Sequence, residues 1–167
     1  TGDKVCALLA GGGYAEEVVV PAGLVLPIPD GLTYVEAASI PEVYATAHLN
    51  LYMEADLSIG EKVLLHAGAS GVGTAAIQLL KYSKNPSFVT VGNADKLRRC
   101  RDLGADSGFI RHDGSFLDAV SEWSGKSGVD VILDPVGANY FSDNISCLGI
   151  DGRLVLIGLL GGQSAEL

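Results

Sequence analysis

The sequence predicts an α/β fold built on a doubly wound parallel sheet. Three observations predict it. From Lys62 onward, short and nearly continuous apolar runs alternate with segments of helical spacing, the pattern of strands buried on both faces and joined by crossover helices. One such run, Val63–Ala67, breaks into the glycines Gly68, Gly71 and Gly73 and passes straight into a helical pattern. A second run, Phe88–Val91, then closes a βαβ unit of about 30 residues.

The elements follow in order. Residues 1–32 read as β-structure, with strands at Val5–Leu9 and Tyr14–Pro21 around the turn Gly11-Gly12-Gly13. Pro21, Pro27 and Pro29 then interrupt regular structure as far as Gly31. Thr33-x-x-Glu36 is a capping box that starts a helix at Tyr34, and Pro41 is suited to open a second helix reaching Met53. Residues 54–61 form a polar loop. The sheet strands are expected at Val63–Ala67, Phe88–Val91, Gly108–Ile110, Val129–Leu133 and Leu154–Ile157, and the helices at 72–83, 95–103, 115–124 and 139–148. Gly104 and Gly149 stand where left-handed C-caps belong, and Ser115 with Asp118 marks a helix start. Phe116, Leu117, Val120 and Trp123 give that helix one apolar face, read as core. Right-handed crossovers imply the strand order 3-2-1-4-5, with the glycine turn at the carboxyl edge where the winding reverses. Five strands are visible where a full dinucleotide fold has six, so a longer parent chain is expected.

Composition narrows the function. The 167 residues are 48% hydrophobic and 19% charged, as in globular domains, and the net charge of −9 with 11 Lys and Arg argues against nucleic acid or an anionic membrane as partner. An anionic ligand must be held locally. Cys6, Cys100 and Cys147 are odd in number and far apart, and His48, His66 and His112 lack metal-ligand spacing, which argues against a disulfide framework and a structural zinc site. No run approaches the length of a membrane span, and no signal peptide is visible; a reducing, cytoplasmic location fits.

The chemistry centres on Gly68-Ala69-Ser70-Gly71-Val72-Gly73. Residues without Cβ let a turn approach a ligand closely, and the following helix offers unpaired N–H groups and its positive dipole end to a pyrophosphate. Serine replaces the second glycine of the strict fingerprint, and a strand–helix turn without ligand stays open as an alternative. Where NAD-binding units carry an acid after the second strand, this chain has Gly92 and Asn93. A carboxylate there would repel a 2′-phosphate; its absence, with Lys96, Arg111 and the Ser70 hydroxyl, suggests NADPH. Asp95 is read as the N-cap of the helix over 95–103. Lys96 and Arg111 also suit plain solvated charges. A P-loop is excluded, because no lysine follows Gly73.

An ordered series of segments resembles one family along the whole chain. It runs through Gly12-Gly-Tyr-Ala-Glu, Pro27-Ile-Pro-Asp-Gly-Leu, Glu36-Ala-Ala-Ser-Ile-Pro-Glu and Thr46-Ala to His66-Ala-Gly-Ala-Ser-Gly-Val-Gly-Thr-Ala-Ala-Ile-Gln-Leu. It continues through Leu103-Gly-Ala-Asp and Gly128-Val-Asp-Val-Ile-Leu-Asp to Asp151-Gly-Arg-Leu-Val-Leu-Ile-Gly. The series is similar to the zeta-crystallin-like quinone oxidoreductase branch of the medium-chain dehydrogenase/reductase superfamily, nearest in pattern to its p53-inducible type. The resemblance implies a C-terminal remnant of a GroES-like substrate domain over residues 1–42 and an incomplete Rossmann domain over 43–167. It also implies zinc-independent transfer of hydride from NADPH to a small-molecule quinone, in a parent protein that is a homodimer.

The resemblance further implies that Thr46 meets the nicotinamide end, Ser70, Gly71 and Val72 the pyrophosphate, and Lys96 the 2′-phosphate. Val136 and Gly137, then Gly158 and Leu160, would border the ribose and nicotinamide. Arg111 departs from the tyrosine often found at its place, and Pro135 from the usual small residue or cysteine. No catalytic side chain is assigned: positioning and a directly transferred hydride can suffice. The alternative is an NADPH-binding protein without turnover.

Overall fold

A computed structural model describes residues 1–166; Leu167, the last position of the expected second domain, lies outside the described residues. The chain divides into two compact units, Thr1–Ala45 and Thr46–Leu167.

In the first unit β1 (Val5–Ala7) pairs antiparallel with β2 (Val25–Pro27), Cys6 opposite Leu26. The strand expected at Tyr14–Pro21 does not form; that segment is irregular, and the partner of β1 lies beyond it, at Val25–Pro27, ending on a proline that an edge strand tolerates. Helix α1 (Tyr34–Ala38) opens on the capping box: Thr33 Oγ1 accepts the Glu36 N–H at 3.2 Å, and Glu36 Oε2 accepts the Thr33 N–H at 2.8 Å. Pro41 is the first residue of α2 (Pro41–His48), whose last three residues, with the π turn that continues it over Leu49–Glu54, belong to the second unit.

The second unit is the doubly wound sheet. Its strands are β3 (Val63–Leu65), β4 (Ser87–Val91), β5 (Ser107–Ile110), β6 (Val129–Asp134) and β7 (Leu148–Leu156), in the order β5-β4-β3-β6-β7. Every pairing is parallel, with Leu64 set between Phe88 and Ile132. This is the expected 3-2-1-4-5 order. All residues of β3 and β4 are buried, so both faces are covered and alternation disappears from their sequence.

The crossover helices are α3 (Gly71–Ser83), α4 (Ala94–Leu103), α5 (Leu117–Ser124) and α6 (Ala138–Cys147). Small residues bring α3 close to the sheet: its buried face is Gly73, Ala75, Ala76, Ile77 and Leu80. On the other side Leu64, Phe88, Phe116, Val120, Val129 and Ile132 form one core, with Leu117 and Trp123 packed on it. Each large apolar side chain buried there contributes about 1.5–3 kcal/mol.

Several boundaries differ from expectation. The N-cap of α4 is Asn93, whose Oδ1 accepts the Lys96 N–H at 2.9 Å; Asp95 instead sits in the first turn and pairs with Arg98 and with Arg99 (3.2 Å). Ser115 does not occupy the N-cap of α5, which is Phe116, although its Oγ accepts the Leu117 N–H at 3.3 Å. Gly104 does cap α4, at φ 126°, but Gly149 caps nothing. Helix α6 passes directly into extended Leu148, and β7 starts there rather than at Leu154. Between the pairs Val129–Leu148 and Val131–Arg153 the strand bulges, with Asp151 in the left-handed region and Gly149 packed where a Cβ would meet Ser127 O at 2.8 Å.

Candidate functional site

The strand order reverses between β3 and β6, and the loops at that end converge. The turn after β3 is pinned from both neighbours: His66 N–H donates to Leu133 O at 3.1 Å, and Gly68 N–H to Thr90 O at 3.0 Å. Between them Ala67 takes a left-handed conformation at φ 52°, so the bend itself falls on an alanine. The glycines serve close approach instead. A Cβ on Gly68 would lie 2.6 Å from Val89 Cβ, and one on Gly73 would lie 2.6 Å from both Ala67 O and Gly68 O. Ser70 is the N-cap of α3; its Oγ accepts the Gly73 N–H at 3.1 Å, which leaves its O–H free to donate. As in any first helical turn, the N–H groups of Gly71 and Val72 have no acceptor within the helix.

In front of this turn lies a cleft of about 220 Å³, lined by Ala67, Ala69, Ser70, Gly92, Lys96 and Arg111 and closed by Thr90, Val91, Val136 and Tyr140. Gly92 leaves open the place where an acid would stand, since a Cβ there would meet only Arg111 Nε, at 3.9 Å. Lys96 and Arg111 are exposed, and among the described residues neither forms a salt bridge. Asp95, next to Lys96 in sequence, is taken by Arg98 and Arg99. One mouth of the cleft is therefore cationic in a chain of net charge −9.

The other expected residues fall around this cleft or away from it. Gly68, Gly71, Val72 and Gly73 build the turn and the helix start beside it, and Asn93 is spent on the cap of α4. Gly137 lines a separate depression of about 190 Å³ with Leu159 and Gly162. Gly158 and Leu160 belong to the loop after β7, which is fastened to the loop after β6: Leu160 N–H donates to Pro135 O at 3.2 Å and Gly161 N–H to Val136 O at 2.6 Å. Thr46 lies on α2, outside the residues that line the cleft. Ala67, Ala69, Thr90, Val91 and Tyr140 were not expected as lining. Thr90 had one available signal, a polar residue inside an otherwise apolar strand.

A larger cavity, about 330 Å³, lies at the opposite end, where β6 and β7 begin, against α5 and the end of α6. It holds Cys147, whose thiol burial pushes up to about 11, so it stays protonated at neutral pH. Ligands in open α/β sheets bind at the carboxyl ends of the strands, which favours the smaller cleft.

A family model described as zinc-binding dehydrogenase matches residues 71–167, more than half of the chain. The chain belongs to this family, within the medium-chain dehydrogenase/reductase superfamily. It is 39% identical over 160 residues to lovastatin diketide synthase lovF of Aspergillus terreus, which covers 94% of this chain and 6% of the synthase. Among solved structures, a probable oxidoreductase from Mycobacterium abscessus superposes with a TM-score of 0.85 at 35% identity, covering 93% of this chain and 49% of that one. The quinone oxidoreductase of Thermus thermophilus, solved also as its complex with NADPH, gives a TM-score of 0.82 at 34% identity, covering 90% and 49%. The chain thus spans about half the length of these solved relatives and a small part of the synthase. Among the described residues no group of three His, Cys, Asp or Glu side chains could hold a metal ion. No described helix is long and apolar enough to cross a membrane, and all three cysteines are unbridged.

Proposed function

We propose that this chain is the nucleotide-binding part of an NADPH-dependent reductase of conjugated carbonyl compounds, with a small quinone as acceptor. The observation that carries the reading is the cleft itself. A helix N-terminus and the Ser70 hydroxyl face one side, and two cations that form no salt bridge among the described residues, Lys96 and Arg111, face the other. No carboxylate stands at Gly92 to exclude a 2′-phosphate. Lys96 and Arg111 would hold that phosphate, the amides of Gly71 and Val72 the pyrophosphate, and Thr46, Val136, Gly137, Gly158 and Leu160 would border the ribose and nicotinamide. NADPH supplies the hydride; the chain's own residues orient it and exclude water, and no side chain is assigned to proton transfer.

A second acceptor is favoured by one observation, the 39% identity to a diketide synthase over 94% of this chain. An α,β-unsaturated thioester on a growing polyketide presents the same electron-poor C=C next to a carbonyl as a quinone does, so one hydride geometry would serve both. The division into a GroES-like remnant over 1–42 and a Rossmann domain over 43–167, a homodimeric parent and a cytoplasmic location belong to the same proposal; the unbridged cysteines support the last.

The test is NADPH oxidation by the purified protein with a small para-quinone or an enoyl thioester, beside direct NADPH titration. Turnover of the quinone supports the first acceptor, and turnover of the thioester alone the second. Tight NADPH binding without turnover of either supports a non-catalytic nucleotide-binding role. Preference for NADH would overturn the cofactor assignment.

A further inference from the structure

Beneath the cleft runs a buried chain of polar groups that the glycine turn and the cations do not explain. Asp134, the last residue of β6, is fully buried. Its Oδ1 accepts the Val136 N–H at 2.6 Å, and its Oδ2 accepts the Gly137 N–H at 3.1 Å and the Asn144 Nδ2–H at 2.9 Å. The carboxylate has no hydrogen to give, so Asn144 must turn its amino group toward Asp134 and its carbonyl away. That carbonyl oxygen lies 2.6 Å from His66 Nε2. Only an Nε2–H satisfies it. In the neutral ring Nδ1 then carries the lone pair and accepts the Thr90 hydroxyl at 2.9 Å.

The chain therefore has one direction, Thr90 to His66 to Asn144 to Asp134, and it fixes the imidazole tautomer. Burial holds His66 below the ordinary imidazole range, against the Asn144 hydrogen bond and the charges of Asp134 and Asp143, so the ring stays neutral at neutral pH. Phe116 and Tyr140 pack on that ring, at 4.9 and 4.7 Å between centroids.

We propose that this chain is a positioning device that sets the spacing between the loop over 135–137 and the turn over 66–70, and so governs how firmly the nucleotide is held. It rests on the nucleotide reading above. Its two ends are lining groups: Val136, held through its N–H, and Thr90, with Tyr140 packed against the middle of the chain. A buried polar chain costs more than an apolar core unless every member is satisfied, and each member here is. What it supplies in return is a single geometry across three strands that are adjacent in the sheet, β4, β3 and β6.

Asp134→Asn tests it. With its oxygen kept on the Val136 N–H, the shortest of the three bonds at 2.6 Å, the new amide donates toward Asn144. Asn144 then turns over, His66 must move its proton to Nδ1, and the Gly137 N–H loses its acceptor. Nitrogen NMR of the imidazole should show an Nε2–H ring in the wild type and an Nδ1–H ring in the variant. Amide exchange at Val136 and Gly137 should quicken, and NADPH should bind roughly threefold to tenfold more weakly, the scale of one lost hydrogen bond. As a second variant that leaves Asp134 in place, Thr90→Val should weaken NADPH and Thr90→Ser should not.

A wild-type Nδ1–H ring overturns the chain. So does unchanged amide exchange in a folded Asp134→Asn protein, or equal NADPH affinity in the two Thr90 variants. Should wild-type protein fail to bind NADPH while the tautomer and exchange shift as expected, the loop-setting role stands and the cofactor assignment falls.

Discussion

Gly92→Asp puts a charge where the cleft has none, and it does so without strain. A Cβ at this position meets only Arg111 Nε, at 3.9 Å, an ordinary contact, so the effect should be electrostatic rather than steric. The new carboxylate would sit beside Arg111 and compete with a 2′-phosphate for it. Two unit charges about 6 Å apart repel by roughly 0.7 kcal/mol in bulk water and roughly 3 kcal/mol at an effective dielectric near 20. With Arg111 partly withdrawn as a partner, NADPH affinity should fall about tenfold to a hundredfold. NADH should bind as well as before or better, because an acid at this place can accept the ribose hydroxyl. Fluorescence titration with both cofactors measures the ratio, and thermal denaturation checks that the fold is kept. Equal changes for NADPH and NADH, in a protein that melts normally, would refute the placement of the 2′-phosphate between Gly92, Lys96 and Arg111.

Lys96→Ala removes one exposed cation from the same mouth; NADPH should weaken about tenfold and NADH by less than about twofold, and matching losses in titrations would remove Lys96 from the phosphate site. Gly73→Ala places a Cβ 2.6 Å from two backbone oxygens, against about 3.4 Å for ordinary contact, so the start of α3 must retreat by about 0.8 Å. Overpacking of this kind costs about 1–3 kcal/mol, seen as a lower Tm, and an unchanged melting curve would contradict the close approach of helix and turn. Burial lowers the His66 pKa in the folded protein from the ordinary 6.5, so the unfolded chain takes up a proton that the folded chain refuses. Stability should fall as pH drops through about 6.5, and a His66→Gln protein should lose that part of the slope in denaturant titrations. Identical slopes would mean that His66 titrates alike in both states.

The order of the sheet was legible because it depends on coarse features: the length of each apolar run, the alternation with helices and the handedness of crossovers. Short-range chemistry was legible where one residue could do one thing, as with Thr33 and Glu36. It failed where two neighbours competed. Asn93 and Asp95 are both good N-caps; Asn93 prevails, and Asp95 has Arg98 and Arg99 within one turn to pair with. Gly149 looked like a helix cap because glycine often is one, but its lack of a Cβ is used against Ser127 O in a strand bulge. In the site, Lys96, Arg111, Ser70 and Gly92 could be placed together because each stands at the end of a strand or the start of a helix. Tyr140 and Asn144 could not. They lie one helical turn apart on α6, and only the packing of that helix brings one to the cleft and the other to His66.

Ala67 joins the two levels. A left-handed conformation costs a residue with a Cβ about 1–2 kcal/mol, and such strain persists only where the surroundings leave no alternative. Here they do leave none: the residue before it is hydrogen-bonded to β6 and the residue after it to β4, while the His66 ring is held on both nitrogens. Glycine at 67 would relieve the strain, yet it would also loosen the turn in the unfolded and folded chain alike. The glycines stand one and six residues later because there it is space, not φ, that is short. A turn fixed in this way presents the Ser70 hydroxyl and the first amides of α3 in one arrangement before any ligand arrives, so little ordering entropy remains to be lost on binding.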